Sequence, residues 1–125
     1  FDGLLPVSHV PPDLHWRNQL YPYVPAAKLG VCPSAKVNAP DPTGWYCYVM
    51  NIDLGARAIS SFRSPAELIL LAEPRDAFPC SRNPSTLTWV ASDRHFKGSN
   101  YLFVDGHVSW MRLAQTTGPK NLWVE

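Results

Sequence analysis

The side chains able to do chemistry in this chain are four histidines, three cysteines and ten acidic residues. Their densest grouping is His95, Asp105 and His107. Histidine and aspartate together could run general acid–base chemistry, or could hold a transition metal. A plainer reading competes with both: a structural hydrogen bond between His95 and Asp105, anchoring the loop before a turn. That reading is adopted here, because His107 and Asp105 sit at a turn where three ligands converge awkwardly. No catalytic residue and no metal ligand is therefore assigned. Asp105 also suits accepting from nearby backbone N–H groups, as turn aspartates do. Arg94 can pair with Asp105 or Asp93, weakly if exposed. Asn100 reads as a loop-to-strand residue bonded to backbone. The cysteines, Cys32, Cys47 and Cys80, form no Cys-x-x-Cys pair, and no Cys/His cluster has zinc spacing. Two readings of them stay open: three buried free thiols, or one disulfide with a third thiol whose partner is elsewhere. A Gly-rich phosphate loop, a nucleophile elbow and a paired-carboxylate motif are all missing from the sequence.

The element that must position His95 and Asp105 is a C-terminal hairpin. Asn100 to Val104 runs into Asp105-Gly106 and then His107 to Met111. Asp-Gly between two apolar runs predicts a two-residue type I′ turn, with positive φ at both positions. In that register Val104 faces His107, Phe103 faces Val108, and Tyr101 faces Trp110. Tyr101, Phe103, Val108 and Trp110 then share the core face, and Leu102, Val104, His107 and Ser109 the other. Upstream, Asp13 caps a short helix over Leu14 to Tyr21, with Trp16, Leu20 and Tyr23 as its apolar stripe. Trp45 to Ile52 and Leu68 to Ala72 read as strands, and Leu87 to Val90 as a short one.

The chain's 125 residues make one domain, 1–125, large enough for a real core. Thirteen prolines make long helices before residue 85 improbable and favour short strands joined by ordered loops. A net charge of +1 supplies no field for nucleic acid or an anionic membrane. Leu68 to Ala72, the longest apolar run, is too short to cross a bilayer.

The stretch from Arg94 to Val108 holds His95, nine further residues, and then Asp105-Gly106. It resembles the C-terminal signature of prepilin-type proteins named for a His-x9-Asp-Gly motif. Further matches follow in family order: Asp2-Gly3-Leu4-Leu5-Pro6, Trp16 with Gln19 to Val24, Cys32-Pro33-Ser34, Tyr48-Val49-Met50-Asn51, and Ser64 to Glu67 before Leu68 to Glu73. The resemblance implies an α+β, pilin-like or pseudopilin-like head: a small antiparallel sheet, a C-terminal β-hairpin and long proline-rich loops. The family's basic leader and apolar N-terminal helix have no counterpart here, so the chain reads as the head alone.

The resemblance further implies an exported structural subunit of a type IV pilus or type II secretion pseudopilus filament, and not an enzyme. It would sit at the cell surface, in an extracellular filament or in the periplasm. Its partners would be like subunits and other pilins or pseudopilins, met through the missing helix, which would also be its only membrane contact. If Trp45 to Ile52 neighbours Leu68 to Ala72, Cys80 folds back over Cys47; the expected bridge is then Cys47–Cys80, with Cys32 left unpaired. No cofactor is expected. Calcium is the next reading, since major pseudopilins can hold one in a head loop; Asp41, Asp53, Asp76 or Asp93 would donate oxygens, without EF-hand spacing. The rival function is a secreted binding module that uses Trp16, Trp45, Trp89 or Trp123 as an exposed platform for glycan or protein.

Overall fold

A computed structural model describes residues 3–10, 14–24, 32–35, 47–75 and 81–125. Its centre is a sheet of five strands, β3 (Val49–Asn51), β4 (Ile69–Ala72), β5 (Ser81–Arg82), β6 (Ser99–Phe103) and β7 (Val108–Met111). They lie in the order β5-β3-β4-β6-β7. The four strands β3, β4, β6 and β7 pair antiparallel, and β5 joins the β3 edge in parallel. A separate two-stranded pair joins β1 (His9–Val10) to β2 (Leu14–His15). Among the described residues, helix is confined to the five residues of α1 (Trp16–Leu20) and to short 3-10 turns. No described helix is long and apolar enough to cross a membrane.

Helix α1 starts two residues later than the periodicity suggests, because Leu14 and His15 pair back onto β1. Its cap position is His15, whose side chain makes no capping bond; Asp13 lies outside the described residues. Trp16 is buried and Leu20 half-buried, but Tyr23 is exposed, and Val24 packs in its stead. Strand β3 is shorter than expected at its far end, because Asn51 Oδ1 accepts from the Asp53 amide and turns the chain into a 3-10 helix. Leu87 to Val90 forms no strand; Val90 makes a lone bridge to Pro74.

The sheet carries a core on each side. Val49, Ile69, Ala72, Tyr101 and Phe103 pack against Trp89, Val90 and Trp123. Met50 and Leu70 point the other way, toward Leu5, Trp16, Leu54 and Phe62. A register shift in β4 between Ile69 and Leu71 interrupts the alternation, so Leu70 and Leu71 both belong to the second side. Buried Asn51 fastens the C-terminal tail across β4: its Nδ2 donates to the carbonyls of Trp123 at 2.9 Å and Ile69 at 3.2 Å. Trp123 meets Trp89 and Tyr101 edge-on and donates from Nε1 to Thr116 Oγ1. Three of the four tryptophans of the expected platform, Trp16, Trp89 and Trp123, are thus core residues, and Trp45 lies outside the described residues.

The hairpin forms, but in a register one residue away from the expected one. Asn100 pairs with Trp110, Tyr101 with Ser109 and Leu102 with Val108. The Phe103 amide donates to the His107 carbonyl, and the Gly106 amide donates to the Phe103 carbonyl. The loop is therefore Val104-Asp105-Gly106, a turn closed by one left-handed glycine at φ 95°, and Asp105 does not take positive φ. A single-residue slip exchanges faces. Tyr101 and Phe103 keep the core, while Val108 and Trp110 move to the open face and are exposed. The partner gained is His107, whose ring stacks on Phe103 at 4.2 Å.

Candidate functional site

Strand β4 is followed directly by an acidic residue, Glu73, which is only 1% exposed. A buried carboxylate requires donors, and two segments supply them, the turn at Arg94 and His95 and the start of β6. His95 Nε2 lies 2.9 Å from Glu73 Oε1, and the Asn100 amide donates to Oε2 at 2.9 Å. A carboxylate only accepts, so the contact is a hydrogen bond in the tautomer that carries its proton on Nε2. Arg94 adds charge: Nη1 is 4.0 Å from Oε1, while Nη2 donates to the Pro74 carbonyl. Nη1 is buried without a hydrogen-bond partner among the described residues.

The same His95 nitrogen meets a second group. Cys32 Sγ is 3.5 Å from His95 Nε2, and the sulfur, the nitrogen and a Glu73 oxygen all lie within 4.8 Å of one another. Among the described residues this is the one group of three metal-ligating side chains. Cys32 is buried on a turn in which the Ala35 amide donates to its carbonyl. Burial pushes its thiol up; the Ser34 amide works against that by donating toward the sulfur, and the Glu73 carboxylate adds to the rise. The arrangement is not that of a thiol nucleophile with its base. Such a triad places nucleophile and orienting carboxylate on opposite nitrogens of the imidazole base, whereas here Nε2 faces both the sulfur and Glu73.

His95 is held by a strained turn. Its amide and carbonyl exchange bonds with those of Gly98 at 3.0 and 3.1 Å. The two residues between, Phe96 at φ 54° and Lys97 at φ 68°, are both left-handed. Two positive φ values in a two-residue loop are what a type I′ turn needs. That geometry, expected at Asp105-Gly106, is found beside His95, with no glycine inside the loop. From the far strand, Trp110 Nε1 donates to the His95 carbonyl at 2.7 Å, and its indole lies across Gly98. A Cβ on Gly98 would come within 2.5 Å of that ring.

His95 and Asp105 do not meet, which corrects the expected hydrogen bond. Each has a different partner: His95 has Glu73, and Asp105 Oδ1 accepts from the His107 amide at 3.1 Å and ring Nδ1 at 2.6 Å. Those His107 donors, the amide foremost, hold the Asp105 carboxyl below its usual range. Asn100 does bond as a loop-to-strand residue, but its amide reaches a side chain. Gly106 closes the hairpin. Cys32 and Cys47 are both buried free thiols; Cys80, and with it the Cys47–Cys80 bridge, lies outside the described residues. Of the calcium candidates, Asp53 and Asp93 are exposed and join no described cluster, while Asp41 and Asp76 lie outside the described residues. Sequence reasoning missed Glu73. The available signal was an acidic residue closing the run Leu68 to Ala72, where a buried strand must supply it with a partner.

A second feature lies on the open face of the sheet. Trp16, Leu20, Val24, Tyr48, Leu71, Leu102 and Val108 line an apolar groove of about 450 Å³. Helix α1 borders it on one side and β6 and β7 on the other. No family profile, curated protein or solved structure matches this chain.

Proposed function

We propose that this chain is the head of a pilin-like or pseudopilin-like subunit, a structural part of an exported filament or secretion apparatus with no catalytic role. The sequence signature around His95, Asp105 and Gly106 motivates the reading. The observation that carries it is the apolar groove on the sheet face beside α1, with Val108 at its rim 63% exposed. An α-helix about 10 Å across buries one apolar stripe against such a face. The helix that precedes the head in the resembling family is the occupant this reading assigns. The Glu73–His95 pair, the strained turn and the hairpin then serve as rigid supports for the strand that forms the groove's edge.

The reading is tested in the coding sequence upstream of Phe1. It requires a short basic leader followed by an apolar helix continuous with this head. A different domain there, or a start codon at this point, would overturn it. A second measurement uses the longer protein: Val108→Glu leaves the fold of the head intact and abolishes its incorporation into filaments. Normal incorporation of that variant would remove the groove from the argument.

A further inference from the structure

The convergence of Cys32, Glu73 and His95 has the composition and spacing of a metal site. We propose that these three side chains bind a late first-row divalent ion of the zinc class, through Cys32 Sγ, His95 Nε2 and a Glu73 carboxylate oxygen. With metal–sulfur bonds of about 2.3 Å and metal–nitrogen bonds of about 2.0–2.1 Å, tetrahedral ligands stand about 3.3–3.6 Å apart. The sulfur–nitrogen separation here is 3.5 Å. The nitrogen–oxygen separation, 2.9 Å, is that of a hydrogen bond. An ion replacing the shared proton has only to open it by a few tenths of an ångström.

The donor set discriminates between ions. A thiolate and an imidazole select zinc-like ions over calcium or magnesium, which require an oxygen cage. Thiolate and carboxylate together neutralise a dication, so the ion needs no further charge from the protein. Three observations independent of the cluster's composition point the same way. Glu73 is buried at the end of a central strand, fixed by the Asn100 amide on its second oxygen. His95 is fixed by a turn that keeps two non-glycine residues left-handed, a strained conformation retained where geometry matters. Its carbonyl is also pinned by Trp110. Three protein ligands leave a fourth position for water or another donor.

The test is a titration of the reduced, chelator-treated chain with Co²⁺, followed by displacement with Zn²⁺. The expected result is one equivalent bound, with an intense tetrahedral visible spectrum and a thiolate-to-cobalt charge-transfer band that Zn²⁺ abolishes. Cys32→Ser removes the charge-transfer band, while Glu73→Gln and His95→Gln each weaken binding by at least about tenfold. Cys47→Ser leaves the band in place. Zn²⁺ also raises the thermal midpoint of the parent chain and not that of Cys32→Ser, as selective binding to the folded state requires. Circular dichroism establishes that each variant compared is folded. Absence of a thiolate band in the parent chain would overturn the site, leaving only a hydrogen-bonded support. A band that survives Cys32→Ser would equally overturn the assignment to these residues.

Discussion

Glu73 and His95 stand twenty-two positions apart in the chain and meet at 2.9 Å, carboxylate to imidazole, behind the central sheet. The pair ties the end of β4 to the loop that leads into β6. It brings the histidine of the sequence signature to a residue outside that signature. Removing one member of such a buried group leaves the others without compensation. Glu73→Ala strands the Asn100 amide, the His95 ring and the Arg94 charge together, and a loss of about 3–5 kcal/mol is expected. Glu73→Gln retains an acceptor for the Asn100 amide and loses less, about 1–3 kcal/mol. Urea unfolding of the two variants measures both losses. Equal stability of Glu73→Ala and the parent chain would remove the pair as a structural tie.

The Asp105 carboxyl is held below its usual range by the His107 amide and ring. A carboxyl whose folded value is depressed stabilises the native state above its unfolded value. That contribution fades as pH falls from about 4 through the folded value. In Asp105→Asn the thermal midpoint therefore falls less steeply than in the parent chain below about pH 4, and the two curves run parallel above it. An unchanged acid limb in the variant would show that the His107 contact does not persist in solution.

Much of this fold is legible in the sequence, because local rules govern it. Apolar alternation places β6, and the aromatic and β-branched density of Trp45 to Ile52 places β3. Thirteen prolines are consistent with the short helices observed. The hairpin's register was not legible. Asp105-Gly106 fits both a two-residue loop and a three-residue loop with a left-handed glycine, and the choice rests on which strand face finds a core. Trp123 decides that: packed edge-on against Tyr101, it claims the face carrying Tyr101 and Phe103, and Val108 and Trp110 are left for the other side. The Cys32–Glu73–His95 cluster was hidden for a related reason. Its members come from three segments far apart in the chain, and only tertiary contacts bring them together.

Tyr101 is fully buried, and its hydroxyl has no hydrogen-bond partner among the described residues. Burial first, and then the nearby Glu73 carboxylate, push the phenol up to about 12. An unpartnered buried hydroxyl contributes nothing favourable, so Tyr101→Phe is expected to match the parent chain or exceed its stability by about 1 kcal/mol. At alkaline pH the unfolded phenol ionises near 10 while the folded one holds its proton to about 12. The unfolded state then binds fewer protons, and stability declines as pH rises across that interval. The phenylalanine variant lacks this decline, which pH-dependent urea unfolding would reveal. A clear loss of stability in Tyr101→Phe at neutral pH would mean that the hydroxyl has a partner.

Gly98 and Gly106 are both required, for different physical reasons, and a pair of double variants separates them. Gly106 has open space where a Cβ would go, so only its backbone at φ 95° resists a side chain. Gly106→Val is expected to lose about 1–3 kcal/mol, with Gly106→Asn losing less because asparagine enters the left-handed region more readily. Gly98 has no such φ. Its Cβ would collide with the Trp110 ring at 2.5 Å and with the Met111 carbonyl at 2.8 Å. Gly98→Ala is therefore an overpacking change of about 1–3 kcal/mol. Shrinking the ring relieves one of its two collisions. Gly98→Ala combined with Trp110→Leu should fall short of the summed single losses by about 0.5–2 kcal/mol, the coupling expected of residues in contact. Gly106→Val combined with Trp110→Leu should be additive, because no side chain opposes the first change. Urea unfolding of the two cycles decides the matter: additivity at Gly98 would mean that Trp110 does not lie across it, and the indole would then not pin the His95 carbonyl.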